Sequence, residues 1–570
     1  MKKIVSYILL ILFYGLVYSQ VPYQFVVVTN PTIDTVKKEY TIDWEVDSTV
    51  KSIYVTTNKS NKNNFNDTLY VNKVNAKGPF KFQYEDGKEY ELKFEKKCLI
   101  NDTMKFRGFN YLLLGINLPP KHLIGKILIV VDFTIIDSLK NELLIFKNDL
   151  ICEGWEVDIV EAPRVEVFNA KAVEFVKNLI SEKYKTNNGN LKTLLFFGRV
   201  PMPYSGDFTV DGHPNHIGAW PSDSYYSDLK KTGWQDDTTN DVSSEYKRMN
   251  NVPKDGKFDN TLLPNLAKLE IGRIDLSNLP YFKESEIELY RNYFQKNHQY
   301  RTDMFGGAIR TNKAIINDNF GTYGGGAFAS CGWSNFSQFV GKDNIETIRL
   351  REATREKSYL WAYGCSPGSD NSIWDIAYSE EYAKLPLKVP FMILFGSYNG
   401  DVDFANNLHR SALASIPYCL ASLWASIPIW VLHKMNMGGR LGEAVLLTMN
   451  NNSTYERHVD DGNTFVHINL TGDPTLKMYV TPLPDSTKLL FDNLTNKVSI
   501  DIPLLNKNEL GYYIYQSDDG EKFELYSNNV FDSNKTFDKN HSFYMIRLAK
   551  TIYNQNGSFI NLSKGRIYKF

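Results

Sequence analysis

Cysteine, net charge and nucleotide-binding motifs are all scarce in this sequence of 570 residues. It has five Cys and no C-x-x-C pair, so a small disulfide scaffold does not fit, and the odd number leaves at least one thiol outside any intrachain disulfide. Lys and Arg number 64 against 65 Asp and Glu, which provides no overall basic field for nucleic acid. No P-loop, Rossmann G-x-G-x-x-G fingerprint or nucleic-acid motif is present. We therefore expect neither an organic cofactor nor a nucleic-acid partner.

Aromatic residues, in contrast, are abundant, with 35 Tyr, 34 Phe and 9 Trp. This content favours β-sandwiches and recognition surfaces over a helical bundle. With 43% hydrophobic and 23% charged residues the chain can bury sizeable cores, which excludes a disordered protein. The length predicts three or four domains at about 150 residues each.

The first twenty residues have the pattern of a secretory signal peptide. Lys2 and Lys3 precede an apolar run over residues 4–17, and Ser19 supplies a small residue before Gln20. An N-terminal membrane anchor is the alternative, but the run is shorter than the roughly 20 residues that a span requires. We assign residues 1–19 as a signal peptide. We expect an exported protein, secreted, periplasmic or on the cell surface, with no transmembrane span after signal removal.

Three patterns of hydrophobic residues follow one another along the rest of the chain. Residues 20–120 alternate apolar and polar positions between turns, as in an antiparallel β-sandwich. Residues 121–484 alternate continuous apolar strands with amphipathic helices, and residues 485–570 return to short alternating strands. The prediction is a multidomain protein. Its central α/β domain has a mostly parallel sheet and is flanked by N-terminal and C-terminal β-sandwich domains of the immunoglobulin or fibronectin III type.

Two loops rich in small residues follow neighbouring strands of the α/β domain, at residues 363–370 and 396–401. Parallel sheets place ligands at the carboxyl ends of their strands, where small residues let backbone N–H groups approach. A Ser or Cys there can act as a nucleophile, so we predict Ser397 and Cys365 as catalytic residues. The residues predicted to bind the substrate are Gly364, Gly396 and Asn399. The alternative is two tight turns with incidental side chains.

Several short segments follow one another between residues 124 and 480. They are Leu-Leu-Phe-Phe-Gly-Arg-Val-Pro at 194–201, Pro-Ser-Asp-Ser-Tyr-Tyr at 221–226, Leu-Glu-Ile-Gly-Arg-Ile at 269–274, Ser-Leu-Trp-Ala-Ser at 422–426 followed by Glu443, and Leu-Thr-Gly-Asp-Pro-Thr-Leu at 470–476. In sequence and in order these segments resemble those of the gingipain-like cysteine peptidases. The resemblance implies a caspase-like fold, a hydrolase that cleaves a peptide or protein substrate, and structural calcium.

The two catalytic residues that the resemblance implies are substituted. The family has a His in a Gly-His-Gly turn and a Cys just before an x-x-Gly-Asp turn; here Cys365 and Ser397 stand in those places. A Ser hydroxyl is a poor nucleophile without an adjacent base, and a Cys is a weak substitute for imidazole at neutral pH. We favour a weakly active or inactive peptide-binding family member. The alternative is an active peptidase, with Cys365 attacking as a thiolate or with Ser397 activated by a base such as His433.

Residues 211–259 form an acidic segment that contains Gly and two His. Carboxylates suit Ca²⁺, a hard ion that takes oxygen ligands, and we predict a structural calcium site at Asp223, Asp228 and Asp237. Zinc held by His213 and His216 is a second possibility. The spacing matches no EF-hand, and long surface loops are often acidic without a metal. The aromatic residues of this segment either line a substrate groove or anchor the loop.

Overall fold

The structure, a computed structural model, describes residues 25–570 except 48, 58–64, 66, 74–75, 101–103, 306–310, 322–327, 452–453, 457–465 and 530–534. The signal peptide predicted for residues 1–19 lies outside the described residues. Within them, no helix has the length and apolar character needed to cross a membrane.

The N-terminal region is built of strands in two sheets. The strands are β1 (Thr29–Asp34), β2 (Glu39–Trp44), β3 (Val50–Thr57), β4 (Asp67–Asn72), β5 (Phe80–Gln83), β6 (Tyr90–Ile100) and β7 (Met104–Leu118). One sheet has the order β1-β2-β5, and the other strands belong to a second sheet. Alternate residues of β2, namely Tyr40, Ile42 and Trp44, are buried in a core between the sheets, as the period of two predicts.

The central region alternates strands and helices. Its strands are β8 (Gly125–Asp132), β9 (Trp155–Ala162), β10 (Leu191–Phe197), β11 (Tyr204–Ser205), β12 (Trp220–Pro221), β13 (Glu270–Ile274), β14 (Ala314–Asp318), β15 (Ile345–Glu346), β16 (Trp361–Cys365), β17 (Gly368–Ser369), β18 (Ser372–Ile373), β19 (Ala377–Tyr378), β20 (Phe391–Phe395), β21 (Ala421–Trp424) and β22 (Asn469–Gly472). Its α-helices are α1 (Lys140–Cys152), α2 (Ala170–Thr186), α3 (Ser224–Ser227), α4 (Glu286–Arg301), α5 (Ser330–Phe339), α6 (Leu350–Glu356), α7 (Ser379–Tyr382), α8 (Leu408–Ala414) and α9 (Leu441–Met449). Short 3₁₀ turns include Pro214–His216 and His433–Met437.

Ten of these strands form one sheet, in the order β15-β14-β16-β20-β21-β22-β13-β10-β8-β9. Neighbouring strands are parallel throughout except at β21 and β22. Every residue of β16, β20 and β21 is buried, because a parallel sheet is covered on both faces. The predicted α/β domain with a mostly parallel sheet is therefore confirmed.

The C-terminal region is again built of strands in two sheets around its own core. The strands are β23 (Lys488–Asp492), β24 (Lys497–Asp501), β25 (Glu509–Ser517), β26 (Glu524–Leu525), β27 (Thr536–Asp538), β28 (Phe543–Asn554), β29 (Gly557–Leu562) and β30 (Arg566–Lys569). β23, β24 and β27 form the smaller sheet, and the others belong to the larger one.

The larger sheets of the two flanking regions are one continuous sheet of nine strands, because β29 pairs in parallel with β7. The two flanking regions therefore share a sheet. The sequence pattern shows each strand but not this pairing, which joins residues more than 400 positions apart. The immunoglobulin or fibronectin III type of each flanking region and the domain boundaries stay predictions.

The pairing of β29 with β7 depends on a close approach of two glycines. Gly557 has φ 138°, a conformation that side chains rarely adopt, and a Cβ built on it would lie 1.8 Å from the carbonyl oxygen of Gly115. The Tyr40 hydroxyl donates to the neighbouring Asn556 carbonyl at 2.8 Å, and Asn556 Nδ2 donates to the Leu113 carbonyl at 3.0 Å. Only glycine permits this contact at position 557.

We expect Gly557→Ala to destabilise the protein by about 3 kcal/mol or more, because the methyl group forces the two strands apart. Gly87→Ala is the matched control. Gly87 also has a positive φ, 78°, but its Cβ would meet nothing within 4 Å, so the cost is about 1 kcal/mol. Scanning calorimetry measures both Tm values, and an equal shift for the two variants would contradict the role given to the glycine contact.

Candidate active site

Ser397 lies just beyond the end of a central strand of the large sheet. β16 and β20 are parallel neighbours with Cys365 opposite Phe395, so the loops that follow them leave the sheet side by side. The first loop continues into a small antiparallel sheet of β17, β18 and β19. This small sheet packs against Gly396, whose built Cβ would lie 3.1 Å from the Cα of Gly368. Ser397 itself is partly exposed.

The side chain facing Ser397 is His213, which is also partly exposed. Its Nε2 lies 2.8 Å from the Ser397 Oγ, within hydrogen-bond distance. The imidazole ring also stacks on the Tyr398 ring, with centroids 5.0 Å apart and planes at 25°. His213 belongs to the long segment between β10 and β13, which crosses to the loop after β20. A Ser next to a His nitrogen is the arrangement that activates a hydroxyl for nucleophilic attack.

The carboxylate of Asp211 binds the backbone of His213 and of the residue that follows Ser397. Asp211 Oδ1 accepts the backbone N–H of His213 at 3.2 Å, and Asp211 Oδ2 accepts the backbone N–H of Tyr398 at 3.0 Å. Tyr398 directly follows Ser397 and has a positive φ of 67°, which costs about 1 kcal/mol in a residue other than glycine. The hydrogen bond to Asp211 helps to hold this strained turn.

Asp211 is in turn held by a buried imidazole. His216 Nδ1 lies 2.9 Å from Asp211 Oδ2, and its Nε2 lies 3.1 Å from Asp401 Oδ2, with all three side chains fully buried. Burial alone lowers the pKa of His216, but hydrogen bonds to the two carboxylates outweigh it and raise the pKa to about 9. Asp401 also forms an ion pair with Arg248. The charges of the two carboxylates are thus balanced by His216 and Arg248.

A third carboxyl group borders this cluster. Burial, followed by the negative charge of Asp401, raises the pKa of Asp370 to about 6. Its Oδ1 is buried and meets no hydrogen-bond donor among the residues that the structure describes. Asp370 lies in the loop after β16 that was predicted from the sequence to flank the site.

Cys365, predicted as the second catalytic residue, is fully buried at the end of β16. Its thiol donates to Asp318 Oδ1 at 3.0 Å. Burial, together with the charge of Asp318, raises the pKa of Cys365 well above its ordinary value, so the group stays a neutral thiol. A nucleophilic Cys needs a lowered pKa and access to the substrate, and Cys365 has neither.

The residues predicted to bind the substrate make contacts inside the protein. A Cβ on Gly364 would lie 2.5 Å from Ile376, and one on Gly396 would lie 2.7 Å from Asn399 Oδ1. Asn399 is buried, and its Nδ2 donates to the carbonyls of Ser369 and Ser372. These three residues therefore join the two loops to each other. A direct contact with substrate stays a prediction.

The predicted base His433 points elsewhere. Its Nε2 lies 2.7 Å from Glu91 Oε1 of β6, and its ring packs beside Tyr455 and Tyr111. Burial lowers the pKa of His433 despite this carboxylate partner. His433 thus joins the central region to the N-terminal region and is not the base for Ser397.

The three carboxylates predicted to hold calcium do not share a site. Asp223 forms a bidentate pair with Arg273 at 2.7 and 2.8 Å, and Asp228 accepts from Trp234 Nε1 at 2.8 Å. Asp237 only donates its backbone N–H to Asp259, at 3.0 Å. In the described part of the chain, no three His, Cys, Asp or Glu side chains are grouped to hold a metal ion. The described residues therefore show no calcium arrangement at these three carboxylates, and both nitrogens of His216, the second zinc candidate, are engaged by Asp211 and Asp401.

The aromatic residues of the acidic segment anchor it. Trp220, Tyr225 and Tyr226 are buried, and Trp220 stacks on Trp424 of β21 with centroids 5.8 Å apart.

The sequence pattern marks His213 only as a zinc candidate. No short-range signal connects it to Ser397, which is 184 positions away. The pairing of His213 with Ser397 arises only from the tertiary fold of the segment between β10 and β13.

Comparison with protein-family models and with curated proteins gave no match. Nine solved chains match. One is gingipain R, described as an Arg-specific cysteine proteinase, with 14% identity and a TM-score of 0.46 over 77% of this chain and 97% of that one. Another is described as a protease, with 11% identity and a TM-score of 0.46 over 78% and 97% of the two chains. Neither likeness identifies a reaction for this chain.

We expect the pairing of His216 with Asp211 and Asp401 to make stability depend on pH. The pKa of His216 is raised in the folded protein, so its contribution is fully present below the unfolded value of 6.5 and is lost as pH rises through about 9. The Tm difference between the wild-type protein and His216→Gln should therefore be large near about pH 6 and small near about pH 10.

His541→Gln is the control for this series, because His541 pairs with the exposed Asp518 and its loss should change the Tm little. A Tm difference for His216→Gln that stays constant over the whole pH range would show that His216 is not held as a cation between the two carboxylates.

Proposed function

We propose that this protein is a hydrolase that cleaves peptide bonds, with Ser397 as the nucleophile and His213 as the general base. The observation that carries the proposal is the distance of 2.8 Å between His213 Nε2 and Ser397 Oγ. The sequence pattern shows no base beside Ser397 and for that reason favours an inactive protein. In this proposal His213 Nε2 supplies the base. A serine peptidase of this kind retains the reaction implied by the gingipain resemblance and changes the attacking atom from sulfur to oxygen.

The reaction follows from the two side chains. His213 Nε2 takes the hydroxyl proton of Ser397 while Oγ attacks the carbonyl carbon of the peptide, which gives a tetrahedral intermediate. The protonated imidazole returns this proton to the departing amine as the C–N bond breaks. A water molecule, deprotonated by the same nitrogen, then attacks the acyl ester. The imidazolium gives the proton to Ser397 Oγ as the ester bond breaks and the acid is released. Asp211 takes no proton in this scheme and acts as a positioning residue.

The surroundings of Ser397 suit an extended peptide chain. The small sheet after β16 packs against Gly396, and the segment that carries His213 contacts Ser397 itself. Trp374, on the loop between β18 and β19 of this small sheet, is 66% exposed and offers an aromatic surface. We include export as part of the proposal on the basis of the signal-peptide pattern, so that the peptide or protein substrate is met outside the cytoplasm.

A peptide-binding protein without turnover is the second candidate, and one observation favours it. Within the described chain, His213 Nδ1 has no hydrogen-bond partner, whereas catalytic His residues are usually oriented by a third group on the other nitrogen. The site at Ser397 and His213 would then hold a peptide without cleaving it.

The test is incubation of the purified protein with a broad peptide library. We expect cleavage that Ser397→Ala and His213→Gln each reduce by about 10³-fold or more, because each removes half of the nucleophile and base pair. Cys365→Ser is the matched control. It removes the thiol but keeps a donor for Asp318, so cleavage should change by less than about threefold.

Loss of cleavage in Cys365→Ser with full activity in Ser397→Ala would contradict the assignment of the nucleophile. Peptides that bind to the folded protein and are not cleaved would support the second candidate.

A further inference from the structure

A cavity of about 350 Å³ lies where the N-terminal, central and C-terminal regions meet. Its walls include the connection between β7 and β8, the start of α9, and β28 and β29 of the C-terminal region. None of its lining residues belongs to the candidate active site. The proposed peptide hydrolysis therefore gives this cavity no role, and an inference about it does not depend on that proposal.

The charged side chains of this cavity are mainly positive. Four cations line it, Lys121, Arg440, Lys477 and Arg547, against two carboxylates, Glu89 and Glu153. Glu153 is already engaged, because it forms an ion pair with Arg301. Arg440 pairs with Glu270 at 2.7 Å and with Glu443 at 3.0 Å. The Nε of Arg440 is buried, however, and finds no acceptor in the parts of the chain that the structure describes.

Lys477 and Arg547 have no carboxylate within 4 Å among the described residues, as the ion pairs of the structure show. The Arg547 side chain is 1% exposed and donates to two neutral carbonyl oxygens, of Ser563 at 2.8 Å and of His122 at 3.0 Å. The Nζ of Lys477 makes one long contact, 3.4 Å to Asn561 Oδ1. Neither group therefore forms an ion pair within the part of the chain that the structure describes.

Lys477 is only partly exposed and lies near three other cations, and its pKa reflects this. Burial, followed by repulsion from Arg547, Arg440 and Arg301, lowers the pKa of Lys477 to about 8 although Glu153 acts in the opposite direction. An anion between these groups would remove the penalty. Guanidinium and ammonium groups together are the donors that proteins use to bind phosphate and carboxylate oxygens.

We propose that this cavity binds a small oxyanion, a phosphate or carboxylate group, held by Lys477 and Arg547. The volume accommodates such a group and a small organic body attached to it. Because the lining comes from all three regions, a bound anion also joins the flanking sheet to the central domain. Binding to the folded state alone then stabilises the whole chain.

The experiment titrates the protein without residues 1–19 by calorimetry. Separate arms use sodium phosphate, sodium acetate and sodium chloride at equal ionic strength. We expect saturable binding of phosphate or acetate and a rise in Tm, and no binding of chloride. Binding of phosphate alone identifies a phosphoryl ligand, and equal binding of acetate identifies a carboxylate ligand. Failure of both to bind overturns the proposal.

Lys477→Met should weaken the binding about tenfold, because it removes one charge-assisted hydrogen bond. Lys126→Met, which replaces a partly buried Lys on β8 outside the cavity, should leave the affinity unchanged. If Lys477→Met does not fold, Lys121→Met at the exposed rim replaces it and should weaken binding about threefold. Equal affinity in the wild-type protein and the cavity variant overturns the proposal. Peptide cleavage is measured separately on the same samples, so the two proposals fail independently.

Discussion

The carboxylate of Asp211 is the contact on which the candidate active site depends. It accepts backbone N–H groups from His213 and from Tyr398, and so fixes the two loops that carry the base and the nucleophile. Its own position is set by His216, which Asp401 holds from the other side. A buried group of this kind is stable only when its charges are matched, and His216 and Arg248 provide the match. The partly exposed pair of His213 and Ser397 is therefore held by the fully buried side chains of Asp211, His216 and Asp401.

Much of the fold follows from local patterns in the sequence, and the site follows only in part. Continuous apolar runs such as β20 predict buried parallel strands, and the parallel sheet predicts that Ser397 lies where a ligand binds. The sequence alone does not reveal the partner of Ser397, because His213 comes from a long segment whose path depends on tertiary packing. The same limit applies to Cys365. Its place after a strand is predictable, but its contact with Asp318 and its burial are not.

The acidic composition of residues 211–259 does not show which donors the individual carboxylates bind. Asp223 and Asp228 are carboxylates of an acidic segment, and each is engaged by its own donor, Arg273 or Trp234. In the flanking regions the individual strands follow from regular patterns in the sequence. Their junction, where Gly557 approaches Gly115, does not. That pairing brings together regions from both ends of the chain, and residues of both regions and of the central region line the basic cavity.

The most direct test of the reactive pair is labelling of the folded protein with a fluorophosphonate probe, followed by mass spectrometry of the digested protein. Such a probe reacts with a serine only when an adjacent base removes the hydroxyl proton. The account predicts a stoichiometric adduct on Ser397 that is lost in His213→Gln, with the thiol of Cys365 unmodified by iodoacetamide in the same sample. An unlabelled Ser397 in the wild-type protein, or labelling that persists in His213→Gln, would contradict it.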